Sequence, residues 1–339
     1  MKLFVYEHIT SGALIDEPLP PSLAREGNDM LQAIIDDFLQ LHSIELIILR
    51  DARLPELNNH DKISCQRINN QGDFQQLYRN AVEAADFILP IAPETDQLLT
   101  TIQEEALTKG KILLGCQPET TRLCSDKYRC YQILRDANIE TIPTLLASNW
   151  LENPFSSPAY IIKPRDGAGC IDTLFFADKK SVSDWLTEHP ANLSHSLIQP
   201  YTQGKAISLS ILYSETDSII LSINEQHILH DNGLIHFKGC TVNGVTEAQF
   251  SFSQAHRIAD SLRQEIRGLW GFVGIDLILD DDNKGEATIV DINPRLTTSY
   301  IGLHQSLETN PAQLLLKVID IDSSTVSSSF RRNAIKVSV

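Results

Sequence analysis

The chain has 339 residues, 42% of them apolar and 21% charged, with a formal net charge of −16. That length exceeds what one core serves, so two or three packed units are expected, and the composition excludes a disordered chain. With 28 basic against 44 acidic residues, a general nucleic-acid surface is excluded, because phosphate backbones need clustered cations.

The N-terminal "KLFVY" (2–6) reads as a buried strand, and its apolar run is too short for a secretion signal or a membrane span. The polar "EHITSG" that follows stands where α/β folds put ligand loops, which makes Glu7, His8, Thr10 and Ser11 candidate substrate contacts. Next comes "LAREGNDMLQAIIDDFLQL", a helix with Met30, Ile34, Phe38 and Leu41 at helical spacing. Strands at 44–51, 86–93 and 111–115 alternate with helices from 74 and 96, which predicts a doubly wound parallel sheet over 1–117. No GxGxxG follows any strand, so a nicotinamide-linked dehydrogenase has no support. Six cysteines are scattered without a CxxC pair, which reads as reduced thiols in the cytoplasm.

From 118 the texture changes. Ser125 is a plausible N-cap for a helix running to about Ala137, and "YIIKPRDGAGCIDTLFF" reads as two strands joined by a Gly-containing turn. A helix from Lys179, a strand through "SHSLIQPY", a β-rich stretch, a helix over "QAHRIADSLRQEIRGLW" and a final strand pair follow. The tail from Asp320 is Ser-rich and ends in a last strand; no internal repeat is present.

The final pair carries an anomaly. "FVGIDLIL" (272–279) and "ATIVDIN" (287–293) flank "DDDNKGE", a hairpin turn; if it centres between 283 and 284, Asp276 lies opposite Asp291 and Ile278 opposite Ile289. Alternation then puts Asp276, Asp291, Asn293 and Arg295 on one face and Ile275, Leu277, Leu279, Val290 and Ile292 on the core face. Two carboxylates about 5 Å apart at Cβ repel. A divalent cation between them removes that cost, and Asp, Asp and Asn are hard oxygen ligands of the kind Mg²⁺ takes. The alternative is an exposed polar face on which Arg295 pairs Asp291.

Two lysines precede this hairpin. Lys163 leaves an apolar strand just before the "DGAG" turn with Gly167 and Gly169, where ammonium and backbone N–H groups can approach one anion. Lys127 stands in the first turn of its helix, where the macrodipole disfavours a cation, so an anion from outside the helix is expected there.

This ordered set, followed by "LIQPYTQGKAISLSIL", "GIDLIL" and "VDINPR", resembles the ATP-grasp superfamily of carboxylate–amine ligases over nearly the whole chain. The resemblance implies an ATP-grasp fold, α/β with an α+β C-terminal part, built as an N-terminal pre-grasp unit (1–117), a lid (118–200) and a core (201–339). It implies that Lys127, Lys163, Gly167 and Gly169 hold ATP phosphates, that Gln199, Pro200 and Tyr201 form the adenine hinge, and that Asp276, Asp291 and Asn293 hold two Mg²⁺ or Mn²⁺ ions. Arg295 would stabilise the intermediate. The sequence departs from the family pattern at Gln199, where Glu is usual, at Ala206, where many members hold ribose with Glu, and at Asp291, commonly Glu; Lys205 and Ser208 are weak substitutes for the ribose contact.

Within the superfamily, "FVYEHITSGAL", "LPPSLAREGNDMLQAIIDDF" and "LRDARLP" look like the branch of tyramine–glutamate ligases and their relatives in methylotrophic bacteria, which implies a γ-glutamyl amide product and a setting in methanofuran-type cofactor synthesis. The expected partners are a small carboxylate and a small amine, with neither nucleic acid nor membrane; a homodimer is compatible with this, and the oligomeric state is left open. His236 and Lys238, in "DNGLIHFKGCTVNG", are further substrate candidates. The rivals are a D-alanine–D-alanine-type or carbamoyl-phosphate-type reaction on the same fold, and a non-catalytic ATP-binding regulator.

Overall fold

The computed structural model describes residues 1–41, 44–280, 286–319 and 330–339. The turn of the final hairpin (281–285) and most of the Ser-rich tail (320–329) lie outside the described residues. No helix among the described residues is long and apolar enough to cross a membrane.

The first unit alternates strand and helix: β1 (Lys2–Glu7), α1 (Pro21–Leu39), β2 (Glu45–Asp51), β3 (Ile63–Ile68), α2 (Gln71–Ala84), β4 (Phe87–Ile91), α3 (Leu98–Thr108) and β5 (Ile112–Leu113). The five strands form one parallel sheet in the order β3-β2-β1-β4-β5. Strand β3, "ISCQRI", escapes a sequence reading because, as an edge strand, it buries only Ile68 fully. Helix α1 starts on Pro21, whose missing N–H costs nothing there. Its Ile34 and Phe38 enter a core shared with Leu303, Leu307 and Leu315 of the C-terminal helices. Asp37 of α1 locks this junction, accepting from the Tyr300 hydroxyl at 2.8 Å, while its carbonyl accepts from Asn310 Nδ2 at 2.8 Å.

The remainder comprises α4 (Pro118–Ser125), α5 (Lys127–Asp136), β6 (Leu145–Leu146), α6 (Ala147–Trp150), β7 (Tyr160–Pro164), β8 (Leu174–Phe176), α7 (Lys179–Glu188), β9 (Ser196–Pro200), β10 (Lys205–Tyr213), β11 (Ser218–Asp231), β12 (Leu234–Val242), α8 (Phe252–Glu265), β13 (Gly271–Leu279), β14 (Ala287–Asn293), α9 (Tyr300–Leu307), α10 (Pro311–Ile319) and β15 (Ile335–Ser338). Its strands form one antiparallel sheet, β14-β13-β10-β11-β12-β8-β7-β9-β6, with β15 on β12. The two halves meet at a narrow seam, since β12 pairs with β8 through Leu234 and Leu174 alone. Strands β6 to β9 thus make a small sheet with its own core around Trp150, Tyr160 and Leu186, folded over the larger sheet.

Two local expectations are corrected. Ser125 ends α4, donating back to the Thr121 carbonyl at 2.7 Å, and Asp126 is the N-cap of α5, accepting from the Arg129 N–H. In the hairpin, Asp276 does oppose Asp291, but a bulge follows, so that Leu277 faces Ile289 and Ile278 faces Thr288. The extra residue turns Val290 from the core to the cavity side and Ile289 into the core, while Ile292 stays buried.

Candidate active site

A cavity of about 460 Å³ lies between the small sheet and the large one. Into it project Lys127, Lys163, Asp276, Asp291, Asn293 and Arg295, and the "DGAG" loop and the Gln199–Tyr201 segment line it on the side of the small sheet. Residues spread over 169 positions are thus brought to one surface.

Lys127 is aimed by its helix. The Asp126 cap is gripped by Arg165 at 2.8 and 2.6 Å, which fixes the start of α5 against the end of β7. From there the ammonium reaches Asp291 Oδ2 at 2.9 Å and the Gly167 carbonyl at 2.8 Å. Burial works against its charge, but Asp291 and Glu94 outweigh burial and raise its pKa. Lys163 is 8% exposed. Burial pulls its ammonium down, only partly offset by Asp291, and no carboxylate among the described residues lies within ion-pair distance of it. A buried ammonium with no counter-ion beside a second one is a site for an anionic ligand. Gly167 and Gly169 adopt φ of +117° and +70°, which the side chains of other residues rarely tolerate, and Asp96 N–H holds the start of this loop by donating to Asp166 at 3.0 Å.

Opposite stand the carboxylates. Asp276 accepts from Gln226 Nε2 at 2.7 Å and from Asn293 Nδ2 at 3.0 Å. Burial, and then the Asp291 charge, push its carboxyl up to about 6. Residual repulsion between the two acids is what a divalent cation relieves, and two carboxylates with a neighbouring amide oxygen are hard donors suited to one. Among the described residues no group of three or more His, Cys, Asp and Glu gathers as a metal cluster. Two carboxylates and an amide fill only part of a divalent ion's shell, which suits an ion that keeps water or ligand phosphates in its other positions.

Arg295 does not pair Asp291. Its Nε donates to Glu94 Oε1 at 2.9 Å, in the loop after β4, and Glu94 is 4% exposed. Gln199 donates to Thr144 Oγ1 at 2.8 Å, which leaves its amide carbonyl to accept from a ligand. Tyr201 packs edge-on against Phe175 with ring centroids 5.0 Å apart at the cavity mouth.

The other substrate candidates are not brought here. Glu7 accepts from the Thr10 N–H at 2.7 Å and from its hydroxyl, Ser11 Oγ donates to the His8 carbonyl, and His8 Nδ1 shares a hydrogen bond with Tyr6; none of the three lines the cavity. His236 and Lys238 alternate with Ile235 and Phe237, which do line it, so the two-residue period of a strand carries them to the opposite face. The structure instead supplies Glu26, Glu94 and Gln226, for which no local pattern in the sequence calls.

Burial pushes the Glu7 carboxyl up to about 6 from an ordinary value of 4.5. The stability this proton contributes is fully present below pH 4.5 and is lost as pH rises through 6, about 2 kcal/mol by linkage. Urea unfolding of wild type and Glu7→Gln at pH 4.5 and 7.5 is expected to show the wild type losing that increment relative to the variant. An equal pH dependence in both would mean that Glu7 does not titrate in this range.

Residues 124–299 match the ATP-grasp domain family, and 44–120 match the pre ATP-grasp 3 domain. The chain belongs to the ATP-grasp family, which implies use of ATP and a divalent metal, and it is a carboxylate–amine ligase of the ADP-forming class. It is related to the tyramine–L-glutamate ligase of Methanocaldococcus fervens, with 27% identity over 327 residues and 93% of each chain covered. The enzyme of the same name from Methanocaldococcus jannaschii is 26% identical over 310 residues, covering 87% of this chain and 83% of that one. An ATP-grasp superfamily protein from Archaeoglobus fulgidus shares the fold, with a TM-score of 0.67, 24% identity, and coverage of 94% of this chain and 88% of that one.

Proposed function

We propose that this ligase activates a carboxylate of glutamate with ATP and joins it to a tyramine-like amine, as a step in making a methanofuran-type one-carbon cofactor in the cytoplasm. The observation that carries the chemistry is the convergence of two buried ammonium groups on a carboxylate pair in one cavity. The substrates are argued from the relatives, which match along nearly the whole chain.

In the first step a carboxylate oxygen of glutamate attacks the γ-phosphorus of ATP; the bond to the β-bridging oxygen breaks, and ADP leaves with its electron pair. In the second the amine nitrogen attacks the acyl carbon, the bond to the phosphate oxygen breaks, and the nitrogen loses a proton. Lys127 and Lys163, with the N–H groups around Gly167 and Gly169, hold the phosphates. The segment Gln199–Tyr201 holds the adenine, and Arg295 faces the charge that moves between carboxylate and phosphoryl. Asp276, Asp291 and Asn293 would hold Mg²⁺, as two ions, which would supply charge neutralisation to the phosphoryl group. No nucleophilic side chain is needed, because positioning and electrostatics account for phosphoryl transfer. Closure of the lid limits hydrolysis of the acyl phosphate.

Release of ADP, followed with Mg²⁺ over a panel of carboxylates and amines, tests this. Glutamate with tyramine is expected to raise it well above the rate with either alone. If no pair does so, the ligase reading fails; if glutamate works only with another amine, the chemistry stands and the pathway falls.

A further inference from the structure

One end of the cavity carries a charge that the chemistry above leaves unused. Of the residues lining the cavity, only Glu26 comes from the N-terminal unit. It is brought there by α1, which lies so close to β1 that a Cβ at the next residue, Gly27, would sit 2.7 Å from the Glu7 carboxylate. Thr298, three residues past Arg295, donates its hydroxyl to Glu26 Oε1. The second carboxylate oxygen has no hydrogen-bond partner among the described residues, and no Lys, Arg or His there pairs with Glu26.

Two of the cavity's cations already have carboxylate partners, and Lys163 is kept for an anionic ligand. Lys127 is paired with Asp291 and Arg295 with Glu94. Glu26 is felt by Arg295 but forms no ion pair, and a carboxylate beside a polyphosphate site is best satisfied by a ligand that brings its own cation.

We infer that Glu26 receives the ammonium group of the amino-acid substrate whose carboxylate is activated, so that the site selects an α-amino acid over a plain carboxylic acid. This rests on the ligase reading above and names the feature of the carboxylate substrate that it recognises. The Thr298 bond ties Glu26 to the loop that carries Arg295, hence to the end of the cavity where the acyl phosphate forms; in glutamate the ammonium is only a short aliphatic chain from the side-chain carboxylate. The attacking amine is the poorer candidate. A carboxylate partner stabilises the protonated form of an amine, and a protonated amine has no lone pair with which to attack.

Hydroxylamine separates the two cases, because it traps the acyl phosphate as a hydroxamate without using the amine site. With Mg²⁺, ATP and hydroxylamine, the full-length wild type is expected to prefer glutamate to glutarate, which lacks the ammonium. In Glu26→Gln that preference, taken as a ratio of kcat/KM, falls by about tenfold or more through KM for glutamate, the loss of one charged hydrogen bond. Glu26→Asp keeps most of it. ATP binding without glutamate, a control for folding, is expected to be as tight in Glu26→Gln as in wild type or tighter, since a repelling charge is gone. An unchanged glutamate KM and preference in a Glu26→Gln protein that binds ATP overturns the inference while leaving the ligase reading intact. A raised KM for tyramine with unaffected hydroxamate formation assigns Glu26 to the amine and overturns it equally. Failure of the wild type to form hydroxamate from glutamate overturns the glutamate assignment on which the inference rests.

Discussion

Asp291→Asn is expected to lower kcat/KM for ADP formation by about 10³-fold, since a bound divalent ion contributes several kcal/mol to phosphoryl-group charge stabilisation and each 1.36 kcal/mol is tenfold in rate. Asp291 stands at the meeting point of the site: it faces Asp276 across the hairpin, pairs Lys127 at 2.9 Å and is the carboxylate that most offsets the buried Lys163 charge. Asn keeps its shape but removes the charge, leaving two ammonium groups facing each other and only Asp276 for a cation. Binding of Mn²⁺, followed by electron paramagnetic resonance in the presence of ATP, should weaken in parallel. Unchanged Mn²⁺ affinity would move the metal site away from this hairpin.

Arg295→Ala is expected to cut kcat by about 10²- to 10³-fold, in line with removal of one preorganised donor from a developing anion, and to change KM for ATP far less. It also strands Glu94, which is 4% exposed and has Arg295 as its cation partner, so stability should fall by about 3 kcal/mol. The two effects can be separated. In the double variant Arg295→Met with Glu94→Gln the buried charge is gone, and urea unfolding should recover much of the lost stability while turnover stays low. If turnover recovered with stability, Arg295 would be a structural residue. Arg295→Lys should rescue only in part, because an ammonium lacks the guanidinium's fork.

Much of the fold was legible because its signals are local. Alternation of apolar strands with helices such as "MLQAIIDDF" announced the parallel sheet, and the spacing of 272–279 and 287–293 about a polar turn announced the hairpin with its facing carboxylates. Even there the reading held only up to Asp276. The bulge after it sends Val290 into the cavity and Ile289 into the core, where the Glu140–Ile142 segment hydrogen-bonds Ile289 from its other side. The polar loop after β1 does not line the cavity for a related reason. Glu7 and Ser11 spend their hydrogen-bonding capacity within the loop itself, which no composition rule foretells.

The sequence by itself determined the face on which Asp276, Asp291 and Asn293 stand, because they sit on strands whose period fixes it, while Lys127 opens a helix, Lys163 nears the end of a strand and Arg295 follows β14 in a loop. Only the tertiary structure decided which partners they meet. Glu94 on Arg295, Gln226 on Asp276 and Glu26 in the cavity come from segments tens to hundreds of residues away, and their placement depends on how α1 docks on α9 and α10 and how the large sheet pairs, interactions that leave no periodic trace along the chain.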